Sequence, residues 1–128
     1  RLVSSAASDV YKRQVKGSNF LKEKLGDGMH KGITATANGF YGPQGRSLRL
    51  GAKVPNLNEY LNRFEYKGNK ITNFEMETSA LYGLCALLGH EAGTVCAIIA
   101  NRFSKSYSKD YKKTVDQLIE LTLHRLTQ

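Results

Sequence analysis

The chain has 128 residues, 41% hydrophobic and 23% charged, with a formal net charge of +8. That suffices for one domain with its core, in the composition range of ordinary globular proteins, and is short for a three-layer enzyme. No apolar run nears the roughly 20 residues of a membrane span, and the N-terminus lacks the apolar core of a secretory signal, so neither a membrane nor secretion is indicated.

Residues 1–14 do not read like the rest. Ser4, Ser5, Ala6, Ala7 and Ser8 follow neither a helical nor a strand period, and the stretch ending Asp9-Val10-Tyr11-Lys12-Arg13-Gln14 looks like a translated adapter or, alternatively, a native disordered tail. Residues 15–128 are expected to form the folded part. Phe20 to Leu25 predicts a short helix stopped by Gly26 and Gly28. Gly32 to Ala37, with Ile33, Thr34 and Thr36, predicts a strand that runs into a turn-rich loop at Asn38, Gly39, Gly42, Pro43 and Gly45.

Leu48 and Leu50 alternate with Arg49 and predict a short extended piece. Pro55 then opens a helix with Leu57, Tyr60, Leu61 and Phe64 on one face, ended by Gly68 and Asn69. A strand is expected over Lys70 to Met76, then a helix carrying Leu81, Leu84, Leu87 and Leu88 on one stripe and closed by Gly89. The apolar run Thr94 to Ala100 predicts a strand buried on both faces of a parallel sheet. Tyr111, Val115, Leu118, Ile119, Thr122 and Leu126 recur at helical spacing, predicting a final helix that packs by that face. Strand and helix in alternation imply an α/β fold: three layers, αβα, around a central mixed, largely parallel sheet.

Cys85 and Cys96 both lie in apolar sequence with no partner at knuckle spacing, which predicts buried free thiols in a reducing cytosol. His30, His90 and His124 are too far apart for a metal set, and no acid lies at ligand spacing from them, so no metal is expected. The basic residues are scattered. Their densest group, Lys105, Lys109, Lys112 and Lys113, falls where a solvated helix face is expected, without the aromatic–basic interleaving of nucleic-acid modules.

Ligands of such folds bind beyond the carboxyl ends of the strands, where three loops gather polar groups. Glu75 and Glu77 stand two apart on a predicted strand, so both carboxylates can face one spot and accept from a vicinal diol. A Glu77 that merely favours the first turn of the next helix fits the spacing equally well. In the loop from Phe40 to Arg46, Gln44 offers both a donor and an acceptor to a base edge. Arg46 can support an oxygen gaining negative charge, and Phe40 presents a flat apolar face. In the third loop Ile99 and Ala100 could wall a planar ligand while Arg102 orients a polar group, although core packing and a solvated helix end would explain the same residues.

Gly32-Ile33-Thr34-Ala35-Thr36, then Phe40-Tyr41, Gln44 and Arg46, resembles the base-binding segment of uridine phosphorylases. Asn73-Phe74-Glu75-Met76-Glu77 resembles the Glu-Met-Glu signature of the nucleoside phosphorylase superfamily, and Ile99-Ala100-Asn101-Arg102 that family's third pocket wall. The resemblance implies phosphorolysis of uridine to uracil and ribose 1-phosphate in the cytoplasm, with phosphate as co-substrate, no other cofactor, and a homo-oligomer, commonly a hexamer. It implies that Gln44 and Arg46 hold the uracil edge and that Phe40 packs on the nucleoside. Glu75, Met76 and above all Glu77 would hold the ribose hydroxyls, with Glu77 and Arg46 the catalytic pair. Ile99 and Ala100 would line the pocket and Arg102 would orient a uracil carbonyl. It further implies that this is the C-terminal half of such an enzyme, without the phosphate-binding residues and with little turnover alone. Purine-specific relatives carry Ser-Asp where this chain has Asn101-Arg102, which disfavours the alternative of a purine phosphorylase or nucleosidase. A basic nucleic-acid-binding module is the remote alternative.

Overall fold

The computed structural model of the protein describes residues 14–128; apart from Gln14, the tail expected over 1–14 lies outside the described residues. Helix α1 (Asn19–Leu25) starts where the Ser18 hydroxyl accepts the Leu21 N–H at 3.0 Å, satisfying one of the donors a helix start leaves open. It stops at Gly26, as the glycine predicts. Strand β1 (Ile33–Thr36) follows, within the expected span. The Leu48–Leu50 piece is a series of exposed bends with no strand pairing, so the alternation there marks an irregular loop.

Helix α2 (Leu57–Arg63) ends at Phe64 rather than at Gly68 and Asn69. Those two residues belong instead to a hairpin joining β2 (Glu65–Tyr66) to β3 (Asn69–Glu75). Its turn, Lys67-Gly68, has φ of 50° and 74°, the left-handed pair whose twist matches a two-residue hairpin. Glycine supplies that conformation at Gly68 without steric cost.

The three strands form one mixed sheet in the order β1-β3-β2, parallel between β1 and β3 and antiparallel between β3 and β2. Thr34, Ala35 and Thr36 face Asn73, Phe74 and Glu75 in register, and the Thr34 hydroxyl donates to Asn73 Oδ1 at 2.9 Å. The register places the carboxyl ends of β1 and β3 side by side. Each strand then delivers its chain into a loop of the site.

Helix α3 (Thr78–Leu87) follows β3 almost at once, and α4 (Tyr111–Thr127) closes the described chain. Helix α4 begins at Asp110, whose carboxylate accepts the Lys113 N–H at 3.2 Å. Near its end Arg125 donates to the carbonyls of Leu25 and Asp27, tying α4 to the C-terminus of α1. Val115, Leu118 and Thr122 are half-buried on the expected face, whereas Tyr111, Ile119 and Leu126 stay largely exposed. Helix α4, with 17 residues, packs on the seven of α1.

One further expectation fails, and the exposure of a helix stripe shares its cause. The run Thr94–Ala100 is not a buried strand: only Ala100–Asn101 pairs, as β4, with β5 (Ser106–Tyr107), and Ile98 and Ile99 are exposed. The leucine stripe of α3 also faces outward, with Leu87 84% exposed. Both segments carry the apolar pattern of a core, but no described element covers them, and pattern becomes burial only where a neighbour removes the surface from water. The buried-thiol expectation falls likewise, since Cys96 is exposed and Cys85 half-buried. Among the described residues no helix is long and apolar enough to cross a membrane.

Candidate functional site

The loop after β1 is folded by its turn residues. Gly42–Gln44 form one 3₁₀ turn with Pro43 near its start, and Gly45 at φ 72° reverses the chain. Arg46 N–H then returns to the Tyr41 carbonyl at 3.0 Å. A side chain at position 45 would be strained by that φ and would press on Asn58 at 3.2 Å. The reversal is what brings the side chains on either side of Gly45 to one point.

That point is Gln44, which is only 4% exposed. Arg46 donates to its Oε1 at 2.9 Å and to the Phe40 carbonyl, and its guanidinium lies 3.7 Å from the centre of the Phe40 ring. From the third loop Arg102 donates to the Gln44 carbonyl at 2.6 Å and to the same Oε1. Arg102 also stacks on Phe74, 4.7 Å from the ring centre. The contact chain Gln44–Arg102–Phe74 therefore runs directly to Glu75 at the end of β3.

Two guanidinium groups converge on one amide oxygen, and neither has a carboxylate partner among the described residues. Burial, then the neighbouring charge of Arg46, pulls the pKa of Arg102 below its ordinary value. Uncompensated positive charge with fixed donors is suited to an oxygen that gains negative charge during a reaction. The geometry also corrects the reading of Gln44. Its acceptor atom is already engaged by two cations, so its amide N–H₂ is the part left to meet a ligand.

The two acids do not share a face as strand spacing implied, because β3 ends at Glu75 and Glu77 is already the cap residue of α3. Glu75 turns inward. Its Oε1 accepts the Thr36 hydroxyl, and its Oε2 accepts the N–H of Glu77 at 2.7 Å and of Thr78 at 2.5 Å. Burial alone would raise its pKa, but these hydrogen bonds outweigh burial and hold the carboxyl below its usual range. The carboxylate of Glu77 is exposed and accepts no hydrogen bond from a described residue. Met76, between the acids, is exposed.

The structure thus gathers Phe40, Gln44, Arg46 and Arg102 into one cluster and sets Glu75, Met76 and Glu77 on the adjoining strand end. One face of Phe40 is occupied by Arg46, but the residue is half-exposed. Ile99 and Ala100 are exposed and precede Arg102 on the chain. A recess of about 520 Å³ opens beside the cluster between Gly45, Ser47, Leu57, Asn58 and Phe103, within the volume range of small-molecule sites. Two residues escaped the sequence reading: Thr36, whose partnership with Glu75 depends on strand register, and Phe74, the platform beneath Arg102. An alternating strand pattern hints at inward residues but not at cross-strand partners.

A parallel strand pair, flanking helices and a polar cluster at the strands' carboxyl ends define an α/β fold of the kind that binds ligands beyond its strand ends. The chain belongs to the phosphorylase superfamily, whose family model matches residues 6–127. It is 39% identical over 97 residues to a uridine phosphorylase of Thermococcus kodakarensis, covering 71% of this chain and 32% of that protein. A uridine phosphorylase of Haemophilus influenzae is 28% identical over 94 residues, covering 72% of this chain and 37% of that one. Among solved structures, a Trypanosoma brucei nucleoside phosphorylase described as showing uridine phosphorylase activity superposes with a TM-score of 0.79 at 27% identity, covering 88% of this chain and 42% of that chain. The chain spans about a third of the length of the curated relatives it matches.

Proposed function

We propose that this chain carries the base and ribose pocket of a uridine phosphorylase, an enzyme that converts uridine and phosphate to uracil and ribose 1-phosphate. The observation that carries the reading is the convergence of Arg46 and Arg102 on buried Gln44, with no carboxylate among the described residues to neutralise them. Its support is the similarity to uridine phosphorylases across most of the chain. In phosphorolysis a phosphate oxygen bonds to C1′ as the glycosidic bond breaks, and the electron pair leaves on the base. Donors at the base oxygens stabilise that charge as it develops, and an acceptor at the sugar hydroxyls holds the ring in place.

Arg46 and the Gln44 amide N–H₂ are the donors for the base. Arg102 acts on the base by fixing Gln44, while Phe40, Ile99 and Ala100 supply apolar surface. Glu77, with Met76 beside it, takes the ribose diol, and Glu75 supports them from behind. Phosphate is the second substrate and no further cofactor is needed. Cytoplasmic pyrimidine salvage by a homo-oligomer belongs to the same reading, and sedimentation of the purified chain tests the assembly.

Calorimetric titration tests the pocket itself. The full chain should bind uridine, Arg46→Ala should abolish that binding, and inosine should not compete. A chain that ignores uridine, or holds inosine equally well, overturns the assignment.

A further inference from the structure

The N-terminus of α3 is capped in an unusual way. A residue in the cap position ordinarily turns its own side chain onto the first free N–H groups of its helix. Glu77 occupies that position and does not. The N–H groups of Glu77 and Thr78 go to Glu75 Oε2, and the next, from Ser79, goes to the Thr36 hydroxyl at 3.0 Å. That hydroxyl has a single proton, which it donates to Glu75 Oε1. Thr36 and Glu75 face each other in register as the last pair of the parallel β1–β3 ladder, so the sheet itself sets their separation.

We propose that Thr36 is a positioning residue: together with Glu75 it takes over the capping of α3, which releases the carboxylate of Glu77 to receive the sugar hydroxyls. The proposal rests on the nucleoside reading for the identity of the ligand. The capping arrangement stands on hydrogen bonds alone.

Thr36 is the link between the two halves of this arrangement. It accepts from the helix and donates to the acid, so removing its hydroxyl leaves the Ser79 N–H without an acceptor and Glu75 Oε1 without its donor. Glu77 already stands in the cap position, from which a side chain ordinarily accepts these N–H groups, so its carboxylate is a replacement acceptor. Once Glu77 turns inward to cap, it is withdrawn from the ligand. A carboxylate free to face a 2′,3′-diol also discriminates ribose from 2′-deoxyribose, since the deoxy sugar lacks one of the two hydroxyl donors.

The experiment pairs amide hydrogen exchange with titration of uridine and 2′-deoxyuridine, using the full chain. Thr36→Val should speed exchange at Ser79 and cut the preference for uridine by about tenfold, the scale of one lost hydrogen bond to a charged group. Thr36→Ser should restore both. Glu77→Ala provides an arm that does not depend on the fate of the valine variant: Thr78 and Ser79 should stay protected while the ribose preference disappears. Loss of protection in Glu77→Ala would show that Glu77 is the cap and would overturn the proposal. So would a folded Thr36→Val that keeps both Ser79 protection and the wild-type preference. A wild-type chain that binds no uridine removes the nucleoside reading and the positioning role together. That outcome differs from wild-type binding with an unresponsive Thr36→Val, which removes only the role of Thr36.

Discussion

Replacing Arg102 by alanine should destabilise this fold measurably. Arg102 donates to the Gln44 carbonyl at 2.6 Å and to Gln44 Oε1, and its guanidinium covers Phe74. Hydrogen bonds to charged groups contribute about 1.5–3 kcal/mol each, and a stacked cation adds about 0.5–1 kcal/mol at a wet site. Arg102 is itself half-buried and loses side-chain entropy in forming these contacts, which brings the net to about 2–3 kcal/mol. For a chain of this size that lowers Tm by about 8–12 °C. Thermal melts followed by circular dichroism read the change, with Lys112→Ala on the exposed start of α4 as a control expected near wild type. Uridine titration of the same protein should show weakened binding, because a Gln44 released from one of its two anchors can rotate its amide. Arg102→Ala melting with the wild type and binding uridine unchanged would refute the claim that Arg102 works through Gln44.

Arg46→Lys should weaken uridine binding about tenfold by calorimetry with little change in Tm, because a point charge cannot both cover Phe40 and reach the Gln44 oxygen. Glu75 is expected to make stability depend on acid. Its folded pKa lies below the ordinary 4.5, so its contribution is complete above that value and is lost as pH falls through the folded pKa. Urea midpoints between pH 7 and pH 3 should therefore fall for the wild type and fall less for Glu75→Gln. Asp110→Ala removes the cap of α4 and should lower stability by about 1 kcal/mol, measured by urea denaturation.

Local structure was largely legible in the sequence. Gly26 ends α1, residues 33–36 with their three β-branched side chains form β1, and the period of the last helix reads directly from its apolar positions. These features depend on contacts within a few residues, which the order of amino acids specifies. The hairpin turn at Lys67-Gly68 was misread as a helix end because a glycine with positive φ serves both purposes, and only strand pairing distinguishes them.

The residue types of the site could also be named from sequence: Gln44, Arg46, Arg102, Glu75 and Glu77 all lie at the carboxyl ends of strands or in the loops that follow. Tertiary structure alone decided what each one contacts. Parallel register sets Thr36 opposite Glu75 and turns one acid into a capping group while its neighbour stays free. The left-handed turn at Gly45 brings Arg46 onto Gln44, and a segment nearly sixty residues later supplies the second guanidinium. Burial too was decided at that level: the leucines of α3 and the run at 94–100 carry an interior pattern yet remain at the surface. A hydrophobic pattern states which face would prefer to leave water, and only a packed neighbour can remove it.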